Sequence, residues 1–88
     1  MLLSLVMTKI NKKTKQRLKK IGDRITQLRK EKGFSNYEQF AFTHGIGRAQ
    51  YGRYENGSDM KLTSFMRVLD ALDVSWLEFF GEGFEEED

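Results

Sequence analysis

Four residues in the stretch FAFTHGIGRAQYGRYENG (positions 40–57) have side chains suited to nucleic acid. Arg48, Ala49, Gln50 and Arg53 fall within one short segment, at spacings that place them on one side of a helix. These residue types suit base edges and phosphates, and arginine can donate two parallel hydrogen bonds to guanine O6 and N7. The segment therefore predicts a surface that contacts duplex DNA and favours sites containing guanine.

The same stretch contains the residues needed to position that segment. Ala41 is small enough to let its helix cross close to a neighbour, and Gly45, four residues later, can adopt the left-handed conformation of a turn. Tyr51 and Tyr54 are three residues apart, so they direct one side of the next helix inward. This order and spacing predict a helix-turn-helix motif.

The first two helices are predicted from apolar spacing and from end signals. Apolar residues recur at helical spacing in a helix that begins between positions 11 and 15 and runs to Lys32, with Gly33 as its terminator. Ser35 and Glu38 form a capping box, so the second helix is predicted to begin there and to run to about His44.

Three further helices are predicted from the second half of the chain. The third is Arg48–Asn56, with Gly47 as a weak N-cap, and a second capping box, Ser75 with Glu78, opens a short fifth helix, WLEFF. The fourth has a continuous apolar stripe: Leu62, Phe65, Met66, Leu69 and Leu72. No stretch of the sequence alternates between apolar and polar residues for long enough to predict a strand. The chain is thus predicted to be an all-α five-helix bundle.

The charge is distributed unevenly along the chain. Residues 1–57 contain 13 Lys and Arg against 4 Asp and Glu, whereas residues 58–88 contain 2 against 9. A basic first part attracts phosphate, and an acidic end is repelled by it. We expect an N-terminal arm at 1–13, a DNA-binding domain at 14–80, and an acidic tail at 81–88 that frays.

Composition argues against several functional classes. The 88 residues include no cysteine and one histidine, which argues against a disulfide framework and a protein-built zinc site. We find no nucleophile–base pair or phosphate-cradling loop, so neither an enzyme nor a cofactor is predicted. The apolar opening MLLSLVM is too short to span a bilayer and is a poor signal peptide, which favours a cytoplasmic protein without a membrane partner.

The chain resembles the phage Cro and repressor (XRE) family of helix-turn-helix proteins over about Ile21–Phe80. The resemblance is carried by IGDRITQLRKEKGFS, by the helix-turn-helix stretch with its YENG terminus, and by LDALDVSWLEFF. It implies a lambda-repressor-like bundle that binds operator DNA as a homodimer, with the third helix in the major groove. Here that bundle would have a basic N-terminal extension of the first helix and a short acidic tail.

The resemblance also implies roles for individual residues of the third helix. The family's base-facing positions fall on Arg48, Ala49 and Arg53, with Gln50 beside them. Gly52 is unusual in the middle of a helix, where it costs about 1 kcal/mol relative to alanine. A close approach of the DNA backbone or of another helix would explain it.

Phosphate contacts are implied at three further places. Asn56 matches a family position at the end of the recognition helix, and Lys61 is the basic residue of the loop that follows. The segment GFSNYEQFA is one residue longer than usual, so either Asn36 or Tyr37 takes the phosphate position at the start of helix two. The cluster Lys12, Lys13, Lys15, Arg17, Lys19 and Lys20 is either a solvated helix face or a phosphate clamp.

Two functions from different classes follow. The first is a sequence-specific transcriptional regulator, acting as a repressor. The alternative is an antitoxin-type module that neutralises a partner protein, a toxin, and represses its own operon; exposed aromatics and the acidic tail would then bind a basic partner.

Trp76, Phe79 and Phe80 are expected to be mostly core, and His44 to be packed. For the dimer surface, the segment 76–84 is favoured over the N-terminal arm and Phe42.

Overall fold

The helices of the chain follow the order predicted from the sequence. The computed structural model describes residues 11–86, and within that span the chain forms five helices and no strand. They are α1 (Lys12–Glu31), α2 (Tyr37–Thr43), α3 (Arg48–Glu55), α4 (Leu62–Leu72) and α5 (Trp76–Phe80). The all-α, five-helix prediction is confirmed. Most of the predicted N-terminal arm and the last two tail residues lie outside the described span. None of the helices within it has the length and apolar character needed to cross a membrane.

The first four helices all end in the same hydrogen-bonded motif. After α1, the Gly33 N–H donates to Lys30 O (2.9 Å) and the Phe34 N–H donates to Arg29 O (3.2 Å). This is the Schellman arrangement, in which a left-handed residue lets the chain leave the helix while its last carbonyls stay bonded. Glycines occupy that position after α1, α2 and α3, but Asp73, with φ of 57°, occupies it after α4. The sharp turns around α3 are therefore encoded locally.

The start of α2 differs from the prediction by one residue. Asn36, rather than Ser35, is the N-cap: its Oδ1 accepts hydrogen bonds from the backbone N–H groups of Glu38 (2.7 Å) and Gln39 (3.1 Å). Asparagine caps at least as well as serine, and here it lies one residue nearer to the apolar positions of α2. The second predicted cap is confirmed, because Ser75 Oγ accepts from the Glu78 N–H at 3.1 Å.

The core lies between α1 and the four shorter helices. Its fully buried residues come from every helix: Ile25, Phe40, Ala41, Tyr51, Val68, Leu72 and Phe79. Arg24 of α1 is also buried, and it donates from Nε to Phe79 O (2.8 Å) and from Nη2 to Glu78 O (2.6 Å). These bonds satisfy carbonyls of α5 and fix it against α1.

Several apolar residues expected in the core are exposed instead. Trp76 is 55% exposed and Phe80 is also exposed, so among Trp76, Phe79 and Phe80 only Phe79 is fully buried. Leu62, the first residue of the α4 stripe, is 74% exposed. The ring of Trp76 still stacks on Phe80 at a centroid distance of 6.5 Å. The expectation for His44 was also wrong in part: the residue is exposed, although its ring lies 4.5 Å from that of Phe40.

Candidate nucleic-acid interface

The helix α3 has one buried and one exposed side. Tyr51 and Tyr54 are buried, as predicted, and they fix the rotation of α3 about its axis. The four predicted base-facing residues are all exposed: Arg48, Ala49, Gln50 and Arg53. The structure therefore presents all four, exposed, on a short helix that follows a tight turn.

A buried ion pair holds the carboxyl end of α3 against α1. Arg29 and Glu55 form two parallel hydrogen bonds, Nε to Oε2 at 2.8 Å and Nη2 to Oε1 at 2.9 Å. Their side chains are only 5% and 10% exposed. Arg29 Nη1 also donates to Phe34 O (2.7 Å), and Thr26 Oγ1 lies 2.9 Å from Glu55 Oε1. One guanidinium thus joins α1, α3 and the α1–α2 turn.

The ionisation of these groups follows from their surroundings. Burial opposes the charge on Glu55, but the hydrogen bonds of Arg29 and Thr26 and the positive charge of Arg29 together outweigh it and hold the pKa of this carboxyl below its ordinary value. The Tyr51 hydroxyl is buried and has no hydrogen-bond partner among the described residues, and burial raises the pKa of this phenol. At neutral pH the pair is therefore ionised and Tyr51 is neutral.

Close packing of α1 on α3 depends on Gly22. A Cβ atom at this position would lie 2.5 Å from Glu55 O and 2.9 Å from Tyr54 O. Such distances are shorter than van der Waals contact, so a side chain here would force the two helices apart. Gly22 and the Arg29–Glu55 pair together set the position of the exposed residues of α3.

The glycine in the middle of α3 is explained by α2. A Cβ on Gly52 would lie 2.8 Å from Cε2 of Tyr37, whose ring also stacks against Tyr51 at a centroid distance of 6.4 Å. Of the two explanations offered by the sequence, the structure thus supports close approach of another helix. Tyr37 itself is 39% exposed, beside α3.

The other predicted phosphate residues are exposed around α3. Asn36 precedes α2 and uses its Oδ1 as the cap, which leaves its amide N–H groups available as donors. Asn56 is exposed at the C-cap of α3, and Lys61 is exposed immediately before α4. These three residues lie in the segments that enter or leave α2, α3 and α4.

The Arg29–Glu55 pair was not predicted from the sequence. A signal was present, because Arg29 lies four residues after Ile25 and so falls on the apolar side of α1. A charged residue on a buried side requires a partner, but the partner is 26 positions away and could not be selected by spacing. Within residues 11–86 no cluster of three or more His, Cys, Asp or Glu is arranged to hold a metal ion.

Comparison with known proteins gives one match. A family model described as helix-turn-helix matches residues 25–79, which is more than half of the chain. The matched segment contains both helices of the motif, the Arg29–Glu55 pair and the exposed residues of α3. Neither the search of curated proteins nor the search of solved structures found a significant match.

Proposed function

The chain belongs to the Cro and repressor-like (XRE-type) helix-turn-helix family of DNA-binding transcriptional regulators, and we propose that it binds operator DNA with α3 in the major groove. The observation that carries this proposal is the exposed side of α3. It presents Arg48, Ala49, Gln50 and Arg53 to the same side, while Tyr51 and the other buried residues hold the helix from behind. The groove is wide enough to admit such a helix.

In this proposal the two arginines of α3 carry most of the base discrimination. Arg48 is the first residue of α3, where recognition helices enter the groove, and Arg53 lies in its last turn. A bidentate pair with guanine provides about 1–3 kcal/mol of discrimination against another base. Ala49 and Gln50, between them, face the same groove.

Four residues around α3 supply the phosphate contacts of the proposal. Asn36 and Tyr37 hold one DNA strand at the start of α2, and Asn56 and Lys61 hold it at the α3–α4 loop (residues 56–61). Phosphate contacts fix the orientation of the protein without selecting sequence. With phosphate contacts both before α2 and after α3, the helix would have a single register in the groove.

A homodimer would use the exposed apolar surface formed by the first turn of α4 and by α5. Leu62, Trp76, Leu77 and Phe80 are all exposed there, and Phe65 beneath them contacts Trp76 at a centroid distance of 6.1 Å. A two-fold dimer would place two copies of α3 about 34–36 Å apart, one turn of DNA. This spacing gives a palindromic operator, whose occupancy would repress transcription.

The antitoxin alternative receives less support from the tail than the sequence suggested. The carboxylate of Glu86 and the carbonyl of Glu85 bind residues of α1 in the same chain, so they are not free for a basic partner. Phe42, which is 80% exposed, and the exposed aromatics Trp76 and Phe80 are the features that still favour such a partner.

Selection of bound sites from random duplex DNA tests the proposal directly. The expected result is an enriched palindrome with guanine at positions contacted by Arg48 and Arg53 and with half-sites one turn apart. Sedimentation of the protein with the selected duplex gives the stoichiometry, expected to be two chains per site. Recovery of no enriched sequence, together with no duplex binding at low salt, would refute the proposed function.

A further inference from the structure

The last described residues, 82–86, lie along α1 between Gln27 and Arg17; we call them the acidic strap. Arg17 binds the carboxylate of Glu86 with two hydrogen bonds, Nε to Oε2 at 2.8 Å and Nη2 to Oε1 at 3.1 Å. Lys20 Nζ donates to the backbone carbonyl of Glu85 at 3.0 Å. This segment was expected to fray, but it forms specific contacts with the basic cluster.

An aromatic residue anchors the strap. The ring of Phe84 lies 4.9 Å from that of Phe80 and 5.7 Å from that of Phe79, so it extends the core beyond α5. At the other end, Gln27 Nε2 donates to Glu82 Oε2 at 3.2 Å. The strap is therefore fixed along one side of α1, from Gln27 to Arg17, over about three helical turns.

The basic cluster is divided between two sides of α1. Lys15 and Lys19 are four residues apart and lie on the side that adjoins the α3–α4 loop, where a Cβ on Gly57 would be 3.1 Å from the Lys19 Cα. Arg17 and Lys20, three residues apart, lie on the opposite side under the strap. Two cations thus adjoin the proposed DNA side, and two are already bound to the chain's own acidic tail.

The two cations beside the loop are available to a ligand. Among residues 11–86, Lys15 has no acidic partner within 4 Å. Lys19 pairs with Asp23, but both side chains are well exposed, and an exposed pair of this kind contributes little stability. Exchange of that carboxylate for a phosphate therefore has a low cost.

Both the basic half of α1 and the strap lie outside the matched family segment, which spans residues 25–79. We propose that Lys15 and Lys19 form a second phosphate-binding surface that continues the contacts of the α3–α4 loop along the DNA backbone, while the strap neutralises the opposite side of the same helix. The two lysines are separated by about 6 Å along the helix axis, a distance close to the rise of two base pairs along the DNA axis. The inference rests on the proposed function.

Two double variants with the same charge change test the inference. Lys15→Gln with Lys19→Gln removes the cations beside the loop, and Arg17→Gln with Lys20→Gln removes those under the strap. Each is titrated onto the selected duplex between 50 and 200 mM salt. Each lost phosphate contact is expected to reduce the slope of log K against log salt by about 0.9, so the first variant loses about 1.8 per bound subunit. For each bound subunit the affinity deficit of the first variant then shrinks about tenfold across that range, while the second variant keeps the wild-type slope.

The outcomes separate the two proposals. Equal slope changes in both variants, or no change in either, would overturn the inference while leaving the proposed function intact, because the wild-type protein would still bind. Failure of the wild-type protein to bind any duplex would refute the proposed function itself. Lys15→Arg with Lys19→Arg keeps the charge and should keep the slope, and circular dichroism checks that all variants fold.

Discussion

Replacement of Glu55 by glutamine is expected to destabilise the whole bundle, because it leaves the buried Arg29 guanidinium without its counter-charge. The carboxylate now accepts two hydrogen bonds from that side chain, at 2.8 and 2.9 Å, and both partners are at least nine-tenths buried. The glutamine amide has the same shape as the carboxylate, but its single oxygen can accept only one of these two bonds. Its NH2 group would then face an N–H donor of Arg29, with which it cannot form a hydrogen bond.

The size of the effect follows from that geometry. Removal of one partner of a buried ion pair costs about 3–5 kcal/mol, and the one bond that the amide retains favours the lower end of this range. Small domains have about 5–15 kcal/mol of stability in total, so the loss is a large share of it. For a domain of this size, a loss of about 3 kcal/mol lowers Tm by about 12–24 °C.

Thermal and urea unfolding, followed by circular dichroism, measure the loss. Glu38→Gln is the matched control, since Glu38 is an exposed glutamate in the first turn of α2 and its charge contributes at most about 1 kcal/mol there. A cost for Glu55→Gln no larger than that of the control would refute the argument that this pair holds α3 in place.

The pH dependence gives an independent check. The pKa of Glu55 in the folded protein is lowered from 4.5, so its stabilising effect is present above the unfolded pKa and is lost as pH falls through the folded value. The stability difference between the wild-type protein and Glu55→Gln should therefore be constant near neutral pH and should shrink below about pH 4.5. A difference that does not change with acid would contradict the assigned ionisation.

Three further substitutions test other parts of the structure. Gly22→Ala should lower the free energy of unfolding in urea by about 1–3 kcal/mol, because the added Cβ would clash with Glu55 O, and this clash outweighs the higher helix propensity of alanine. A higher stability of this variant would contradict the close contact between α1 and α3. Arg53→Ala should weaken binding to the selected duplex by about 1–3 kcal/mol in titrations and should reduce the base preference at one position of each half-site. Lys61→Ala should weaken binding to all DNA sequences by a similar amount, because it removes a phosphate contact. Unchanged binding in both variants would show that the proposed placement of α3 in the groove is wrong. Asp73 has a left-handed backbone conformation, which glycine adopts without strain, so Asp73→Gly should raise the stability by about 0.5–1 kcal/mol and should raise Tm. A lower Tm would show that the backbone at Asp73 is not strained.

The sequence predicted the features that depend on neighbours along the chain. The glycines after α1, α2 and α3 and the serine cap of α5 act within a few residues, so they can be recognised without the fold. The exposed and buried sides of α3 follow in the same way from the spacing of Tyr51 and Tyr54. The error at Ser35 is of the same local kind, because two adjacent polar residues can both cap a helix.

The features that were missed depend on residues far apart in the chain. Arg29 and Glu55 are separated by 26 positions, and Arg17 and Glu86 by 69. A run of acidic residues is compatible with a solvated tail as well as with an ordered one, and spacing alone does not choose between them. Leu62 begins the apolar stripe that predicted α4, but it is in the first turn of that helix and is 74% exposed.

The shortness of α3 has a consequence for its dynamics. Isolated helices of fewer than about 12–15 residues are marginal in water, and α3 has eight residues, one of them Gly52. It is therefore helical only while it is docked on α1 and α2. Its amide protons should exchange with solvent mainly through global unfolding, so the residues proposed to contact bases form a single cooperative unit with the core.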